Sequence, residues 1–426
     1  MNIKVVVGAG YGDEGKGLMT DHFCGNIQDK GRVLNVRSNG GTQAGHTVCR
    51  FDKENVRYNM WVFRNLGSGT IAKADTFLAS RFVVNCYELN DEINKFERHF
   101  GYRPIVFISK NCRVQFLVDE QLNRCIEYER TQKHGTCGFG VFETVNRHHK
   151  GYELRMNNIY EYYKNNDKDG LIDIINELSF NYIECRVEHI YETENIHVDI
   201  SKILECSNDL TFKTVENVWK LFDDNKDNIK LCELNDLMQC GEYTDIVFEC
   251  SQGLELNWGD ARNTPHVTAS HTGLKNIIKE LQTCDSLDMI TDVEVCYTTR
   301  SYKTKHGDGG FIEIDKDIEE EYGLYDRTNV PNRFQGTLQF GLIDITRMSE
   351  LINNDFESLS STNMFSNMCK LTKSLSVTHL DQTNEAVLTT EGNIFFKDFT
   401  AKNIINGDKT YYSFGEKSTD IVEYAI

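Results

Sequence analysis

Two carboxylates, Asp13 and Glu14, stand inside a glycine-rich loop that also carries Lys16: Gly8-Ala9-Gly10-Tyr11-Gly12-Asp13-Glu14-Gly15-Lys16-Gly17. An apolar run, Ile3 to Val7, leads into the loop, and a segment of helical character, Leu18 to Cys24, leaves it. A strand, a glycine turn and a helix start form a phosphate cradle, because backbone N–H groups and the helix dipole converge on an anion. Gly12, Glu14, Gly15, Lys16 and Gly17 are the expected phosphate-binding residues, with Lys16 adding a point charge. Carboxylates beside a phosphate are costly unless they hold a metal or take a proton. The loop is therefore expected to do chemistry as well as to bind. It is not a plain P-loop GTPase motif, since Gly17 stands where that motif places a Mg²⁺-binding Ser or Thr after the lysine. A second cluster, Arg37-Ser38-Asn39-Gly40-Gly41-Thr42-Gln43-Ala44-Gly45-His46-Thr47, sets a histidine among small residues that allow close approach of a ligand.

The elements that must position these loops are readable from short apolar runs: Val33–Val36, Ile105–Ile108, Ile246–Phe248, Met289–Tyr297 and Leu375–Val377. Their separation by helix-length polar stretches predicts an α/β fold, a single large domain with a central mostly parallel sheet. Ligands collect at the carboxyl ends of such strands. The loops after Val7, Val36, Phe248, Tyr297 and Val377 are accordingly expected to meet in one crevice. A charged, helix-like insertion of about residues 152–237 is expected to be scaffold. The chain has 426 residues, a formal net charge of −19 and pI near 5.1, which disfavours a nucleic-acid or membrane-surface binder. No transmembrane-length apolar run or signal-peptide pattern is seen, so a cytoplasmic enzyme is expected. The 14 cysteines include no Cys-x-x-Cys pair and read as buried reduced thiols, with Cys49, Cys250 and Cys296 in or beside strand-like runs. His148-His149 reads as a solvated pair.

Taken together the two clusters resemble the adenylosuccinate synthetase family, whose hallmarks are a Gly-Asp-Glu-Gly-Lys-Gly loop and an Asn-Ala-Gly-His-Thr segment. The first is intact at Gly12–Gly17, and the second has Gln43 for Asn. The resemblance continues in order through Phe248-Glu249-Cys250-Ser251-Gln252-Gly253, Pro265-His266-Val267-Thr268-Ala269-Ser270, Tyr297-Thr298-Thr299-Arg300 and Val377-Thr378-His379-Leu380-Asp381. It implies one domain over 1–426. Phosphate and purine loops lie at 8–47, a purine loop at 248–274, an amino-donor region at 297–344 and a guanine-base region at 375–426.

The resemblance implies a GTP- and Mg²⁺-dependent ligase that joins an amino donor to a 6-oxopurine monophosphate through a 6-phosphoryl intermediate. Asp13 would be the base that removes the N1 proton and a Mg²⁺ ligand, with the Gly45 carbonyl as a second ligand. His46 would stabilise the bridging oxygen and Gln252 the developing 6-oxyanion. Thr47 would join the phosphate-binding residues. Gln43, Thr136, Cys137, Arg147 and Thr268 would bind the purine nucleotide, Arg147 from across a homodimer interface. Thr299, Arg300, Arg327, Asn332, Arg333 and Gln335 fall in the amino-donor region. His379, Asp381, Ser413 and Gly415 fall around the guanine. The Asp381 carboxylate would accept from guanine N1–H and N2–H₂, which favours GTP over ATP.

The pattern breaks at Asn332–Asp344, where the family shows a Thr-Gly-Arg-x-Arg-Arg run that grips the carboxylates of aspartate. Gly336, Leu338 and Gln339 stand in its place. Losing two charge-assisted contacts, at roughly 1.5–3 kcal/mol each, would weaken aspartate binding markedly. The expected activity is thus nucleotide activation with an altered amino-donor pocket, for aspartate or a related amine. One alternative is the phage-type branch that acts on dGMP; that branch has a small residue in place of the loop aspartate, which this chain keeps as Asp13. Another is a non-catalytic nucleotide sensor, which would need Lys16 but not Asp13, His46 and Gln252.

Overall fold

The computed structural model of the protein describes residues 1–27, 31–52, 57–131, 133–260, 262–306, 317–329, 337–401 and 409–425. Its centre is a ten-stranded sheet. In chain order the strands are β1 (Asn2–Gly8), β2 (Arg32–Arg37), β3 (Asp75–Leu78), β4 (Val106–Ile108), β5 (Ile229–Leu231), β6 (Tyr243–Gly253), β7 (Asp292–Arg300), β8 (Lys370–Thr378), β9 (Lys409–Ser413) and β10 (Ile421–Ala425). They lie in the spatial order β5-β4-β3-β2-β6-β1-β7-β8-β9-β10. Every neighbouring pair is parallel except β9 with β10. Each of the five apolar runs named above contributes a strand to this sheet, although Ile105 and residues 289–291 precede their strands.

The continuous apolar character of β1 reflects burial on both faces. Val5 and Val7 join Phe248, Val295 and Leu375 in one core layer, while Val6 packs with Val247 and Cys296 against Leu18, Met19 and Phe23 of helix α1 (Lys16–Ile27). Register then fixes where the loops emerge. Val6 is level with Glu249, Gly8 with Thr298, Glu249 with Arg37, and Arg300 with Thr378. The ends of β1, β2, β6, β7 and β8 therefore share one edge of the sheet.

The helical region is larger than the sequence indicated. It includes helices Leu117–Glu129 and α2 (Val141–His149) before residue 152, and it returns through β5, an edge strand of the main sheet. Its own cores are built by Leu171, Ile175, Val218 and Phe222, and by Leu122, Ile126, Tyr182 and Ile183. No residue from 152 to 237 lines the crevice, in keeping with a scaffold role.

The cysteines are all free, with Cys49, Cys250 and Cys296 buried. His148 departs from its expected solvated state: it is buried, and burial together with neighbouring arginines lowers its pKa to about 2. No helix among the described residues is long and apolar enough to cross a membrane.

Candidate active site

A crevice of about 720 Å³ opens at the carboxyl edge of the sheet. That volume is in the range of pockets that hold nucleotide-sized ligands. Residues from the loops after β1, β2, β6, β7 and β8 line it together: Asp13, His46, Gln252, Arg300 and His379. Gly12, Gly15, Lys16, Gly17, Gln43, Gly45, Thr47, Thr136, Cys137, Thr268, Arg327, Asp381 and Gly415 also face it. The expected convergence of five loops is observed.

The phosphate loop solves its charge problem in a way the sequence did not suggest. Glu14 is buried, pairs with Lys16 at 2.5 Å, and accepts the N–H groups of Gly10 (3.0 Å) and Gly12 (2.7 Å). Burial works against its charge, but Lys16 and these N–H groups prevail and lower its pKa. Glu14 thus braces the loop from behind and does not line the crevice. Neither a metal nor a proton is required to neutralise it.

Gly17 explains the absent hydroxyl after Lys16. A Cβ there would lie 2.8 Å from the Thr47 carbonyl oxygen and 3.1 Å from His46 Cβ. The missing side chain lets the hairpin His46–Asp52/Arg57–Phe63 press its first residue onto the first turn of α1.

His46 is held by groups far away in the chain. Its Nδ1 meets Glu249, which also accepts the N–H of Ser68 at 3.0 Å and the Ser68 hydroxyl. Although burial opposes its ionisation, Arg37 and His46 hold the Glu249 carboxyl at about 2. Burial lowers the His46 pKa while the Glu249 carboxylate opposes it, and Nδ1–H donates to that carboxylate. That arrangement leaves Nε2 for a ligand in the crevice. Glu249 stands in the motif at residues 248–253 with no role assigned from the sequence; a carboxylate directly after the apolar run Ile246–Phe248 was the available signal.

Asp13 and Gln252 both adopt left-handed backbone, with φ of 63° and 59°. Such strained conformations in non-glycine residues concentrate at functional sites. Arg300 clamps the first, donating from Nε to the Asp13 carbonyl at 2.5 Å while its Nη2 pairs with Asp326 at 2.6 Å. The Asp13 carboxylate is 26% exposed and has His306 Nε2 at 3.5 Å. His306 is a site neighbour that sequence reading missed. Thr268 donates its hydroxyl to Gln252 Oε1 (3.4 Å), which leaves the Gln252 amide N–H₂ as a donor. Gln43 Oε1 is buried without a hydrogen-bond partner among the described residues. The Thr136 hydroxyl donates to Asn123 at 2.9 Å. Burial, then the Asp13 charge, push the Cys137 thiol up to about 11.

Four expected site residues do not face the crevice. Glu14 is one. Arg147 is fully buried and turned into its own subunit: it pairs through Nε and Nη2 with Asp119 (2.9 and 3.0 Å) and donates to the carbonyls of Val114 and Tyr152. Its guanidinium also stacks 3.7 Å from the Phe116 ring centre. Within this subunit it therefore neutralises the buried Asp119 and does not reach the crevice. Thr299 donates to the Arg300 carbonyl, and Ser413 to the Gly415 carbonyl at 2.6 Å, so both stand behind the wall.

In the amino-donor region, Asn332, Arg333 and Gln335 lie outside the described residues. Leu338 and Gln339 belong to a short strand, Leu338–Gly341, paired antiparallel with Lys303–His306. Arg327 is an exposed residue of the crevice rim, 3.8 Å from Glu416. At the far end Asp381 lines the crevice with Glu416 and Asp420; burial and then these two acids raise its pKa. Burial lowers the His379 pKa well below the usual range, and its Nδ1 meets Thr378 Oγ1 at 2.8 Å.

The described residues contain no group of three His, Cys, Asp or Glu side chains that could hold a metal. Asp13 and Gly45 both line the crevice. One carboxylate and one carbonyl suit Mg²⁺, which keeps waters and substrate phosphates as its other ligands.

The adenylosuccinate synthetase family model matches residues 5–328. The adenylosuccinate synthetase of Finegoldia magna is 24% identical over 318 residues, covering 73% of this chain and 66% of that protein, just under two thirds of its length. Among solved structures, the fully ligated adenylosuccinate synthetase of Plasmodium falciparum superposes with a TM-score of 0.68 at 15% identity, covering all of both chains. The succinoaminodeoxyadenylate synthetase (PurZ) of cyanophage S-2L, bound to dGMP and to dATP as an energy donor, superposes at 0.55 and 12% identity over 99% of this chain and 95% of that one. These structural likenesses establish the fold. Ordered motifs, one crevice at the carboxyl edge and a family match over three quarters of the sequence agree: the chain belongs to the adenylosuccinate synthetase family.

Proposed function

We propose that the protein is a purine-nucleotide ligase that activates a 6-oxopurine monophosphate at O6 by phosphoryl transfer and then exchanges that phosphate for an amino donor. One observation carries the reading: Asp13, His46 and Gln252, from three separate strand-end loops, face one crevice beside the N-terminus of α1. Asp13 removes the N1 proton, so that electron density moves to O6. O6 attacks the γ-phosphorus of the triphosphate, and the bond to the β,γ-bridging oxygen breaks. His46, its Nδ1–H held by Glu249 and its ring protonated on both nitrogens once the phosphate charge is beside it, donates from Nε2 to the oxygen that gains charge. Gln252 donates its amide N–H₂ to the developing oxyanion on the purine. Lys16 and the N–H groups of Gly15 and Gly17 hold the triphosphate. Mg²⁺, held by Asp13 and the Gly45 carbonyl, would neutralise phosphate charge.

GTP is the proposed phosphoryl donor, because one carboxylate such as Asp381 can accept from both N1–H and N2–H₂ of guanine, whereas adenine sets an acceptor N1 beside its single N6–H₂ donor. The amino donor is aspartate or a related amine. IMP is favoured over dGMP as the purine, since the retained Asp13 competes for the space of a purine 2-amino group. Homodimerisation and a cytoplasmic location are expectations from the family.

Positional isotope exchange in ¹⁸O-labelled GTP, with a panel of purine monophosphates and no amino donor, tests the first step and its purine. Exchange with IMP is expected, along with a loss of at least about 100-fold in Asp13→Asn, as for removal of a general base. Exchange with dGMP alone would overturn the choice of purine. Unchanged GTP binding with no exchange in the wild type would instead mark a sensor.

A further inference from the structure

The burial of Arg147 leaves a chemical gap. A purine monophosphate carries a doubly charged phosphate, and the guanidinium expected to meet it is spent on Asp119 within its own subunit. The crevice wall near Thr136 and Cys137 carries another guanidinium, which no motif singled out: Arg64.

Arg64 stands near the end of the strand Arg57–Phe63 and is half-buried. Three contacts fix it. Its backbone N–H donates to Glu92 at 2.9 Å, one guanidinium nitrogen donates to the Thr42 carbonyl at 3.1 Å, and the group lies over the Phe139 ring at 5.6 Å. Among the described residues no carboxylate pairs with it; Glu88 feels its charge without reaching ion-pair distance. Arg64 also acts on Cys137, favouring the thiolate against burial and Asp13, which places its charge on the crevice side. A pre-positioned arginine fork on the crevice wall, with no carboxylate partner among the described residues, is a receptor for an oxyanion.

We propose that Arg64 supplies in cis the cation that binds the 5′-phosphate of the purine monophosphate, in the place of Arg147. This inference rests on the purine-nucleotide reading above. The shared chemistry is an anionic oxygen group, and the phosphate is favoured over an amino-donor carboxylate because Arg64 faces the Thr136–Cys137 turn.

The test compares IMP with inosine, and dGMP with deoxyguanosine, by calorimetric titration of the wild type, Arg64→Gln and Arg64→Lys, with thermal melts confirming folding. The wild type should prefer each monophosphate to its nucleoside. Arg64→Gln should lose about 10- to 100-fold of monophosphate affinity while nucleoside affinity stays constant, as expected for a charge-assisted contact. Arg64→Lys should recover part of it. A phosphate preference equal in wild type and Arg64→Gln would overturn the role of Arg64 and leave the nucleotide reading standing. A wild type that binds neither purine monophosphate would overturn both. Unchanged monophosphate affinity with a raised KM for the amino donor in Arg64→Gln would transfer the residue to the donor carboxylate and also overturn the proposal.

Discussion

Glu249 does for His46 what no residue near it in the chain could do. It is 203 residues away, and the pairing exists because β6 lies between β2 and β1 in the sheet. An imidazole that donates Nδ1–H to a buried carboxylate is fixed in orientation, and the carboxylate balances the charge of a second proton on Nε2. Glu249→Gln keeps the shape but removes that charge, so the doubly protonated ring is disfavoured. We expect kcat to fall by about 100-fold or more while KM for both nucleotides changes little, the pattern of an interaction made in the transition state. Steady-state kinetics on the folded variant check this, and an equal rise in both KM values with kcat intact would show that Glu249 serves binding instead. The case also shows what a sequence can reveal at this scale. Asp13, Lys16, His46 and Gln252 stood out through their immediate neighbours. Their partners Glu249 and His306 did not, and Arg300 was expected in the amino-donor region and not at Asp13, because strand register and loop packing bring these groups together.

Elements tell the same story with one reversal. The central strands were legible because they are apolar throughout, which reports burial on both faces. The edge strand β5, three residues long, has no such signature and was absorbed into the helical stretch around it. Arg147, expected from the family resemblance to reach a phosphate across a dimer interface, is buried at the end of α2 against Asp119 and the Phe116 ring, a packing that its neighbours in the sequence do not reveal. Removing one member of a buried ion pair strands the other charge, at about 3–5 kcal/mol. Arg147→Ala should therefore lower the denaturant midpoint by an amount of that order, and its residual folded fraction should bind purine monophosphate with near-native affinity. A variant of native stability with weakened monophosphate binding would restore the cross-subunit role.

At the scale of the whole molecule, helix α3 (Ile345–Ser360) is fastened to the sheet by one carboxyl group with a titration of its own. Asp355 accepts the Leu274 N–H at 3.0 Å and the Tyr297 hydroxyl at 3.0 Å, joining α3, the loop before helix Lys275–Leu281, and β7. These two donors favour the carboxylate, yet burial outweighs them and raises its pKa from 3.8 to about 6. A carboxyl raised on folding binds its proton more tightly in the native state. Its stabilising contribution is therefore complete below the unfolded pKa of 3.8 and lost as pH climbs through about 6. Over that window the loss is on the order of 3 kcal/mol, from 1.36 kcal/mol per pKa unit. Glu249, lowered from 4.5 to about 2, acts in the opposite sense: its contribution is present above 4.5 and disappears as pH falls towards 2. The two must be separated by a difference measurement. Asp355→Asn cannot titrate, so its stability relative to wild type should rise between pH 4 and pH 7 by the amount that Asp355 loses, whatever the fixed cost of the amide. Urea midpoints of both proteins at the two pH values, without nucleotide, provide the comparison. A constant gap between them would mean that Asp355 is ionised throughout, with Leu274 and Tyr297 compensating fully for its burial.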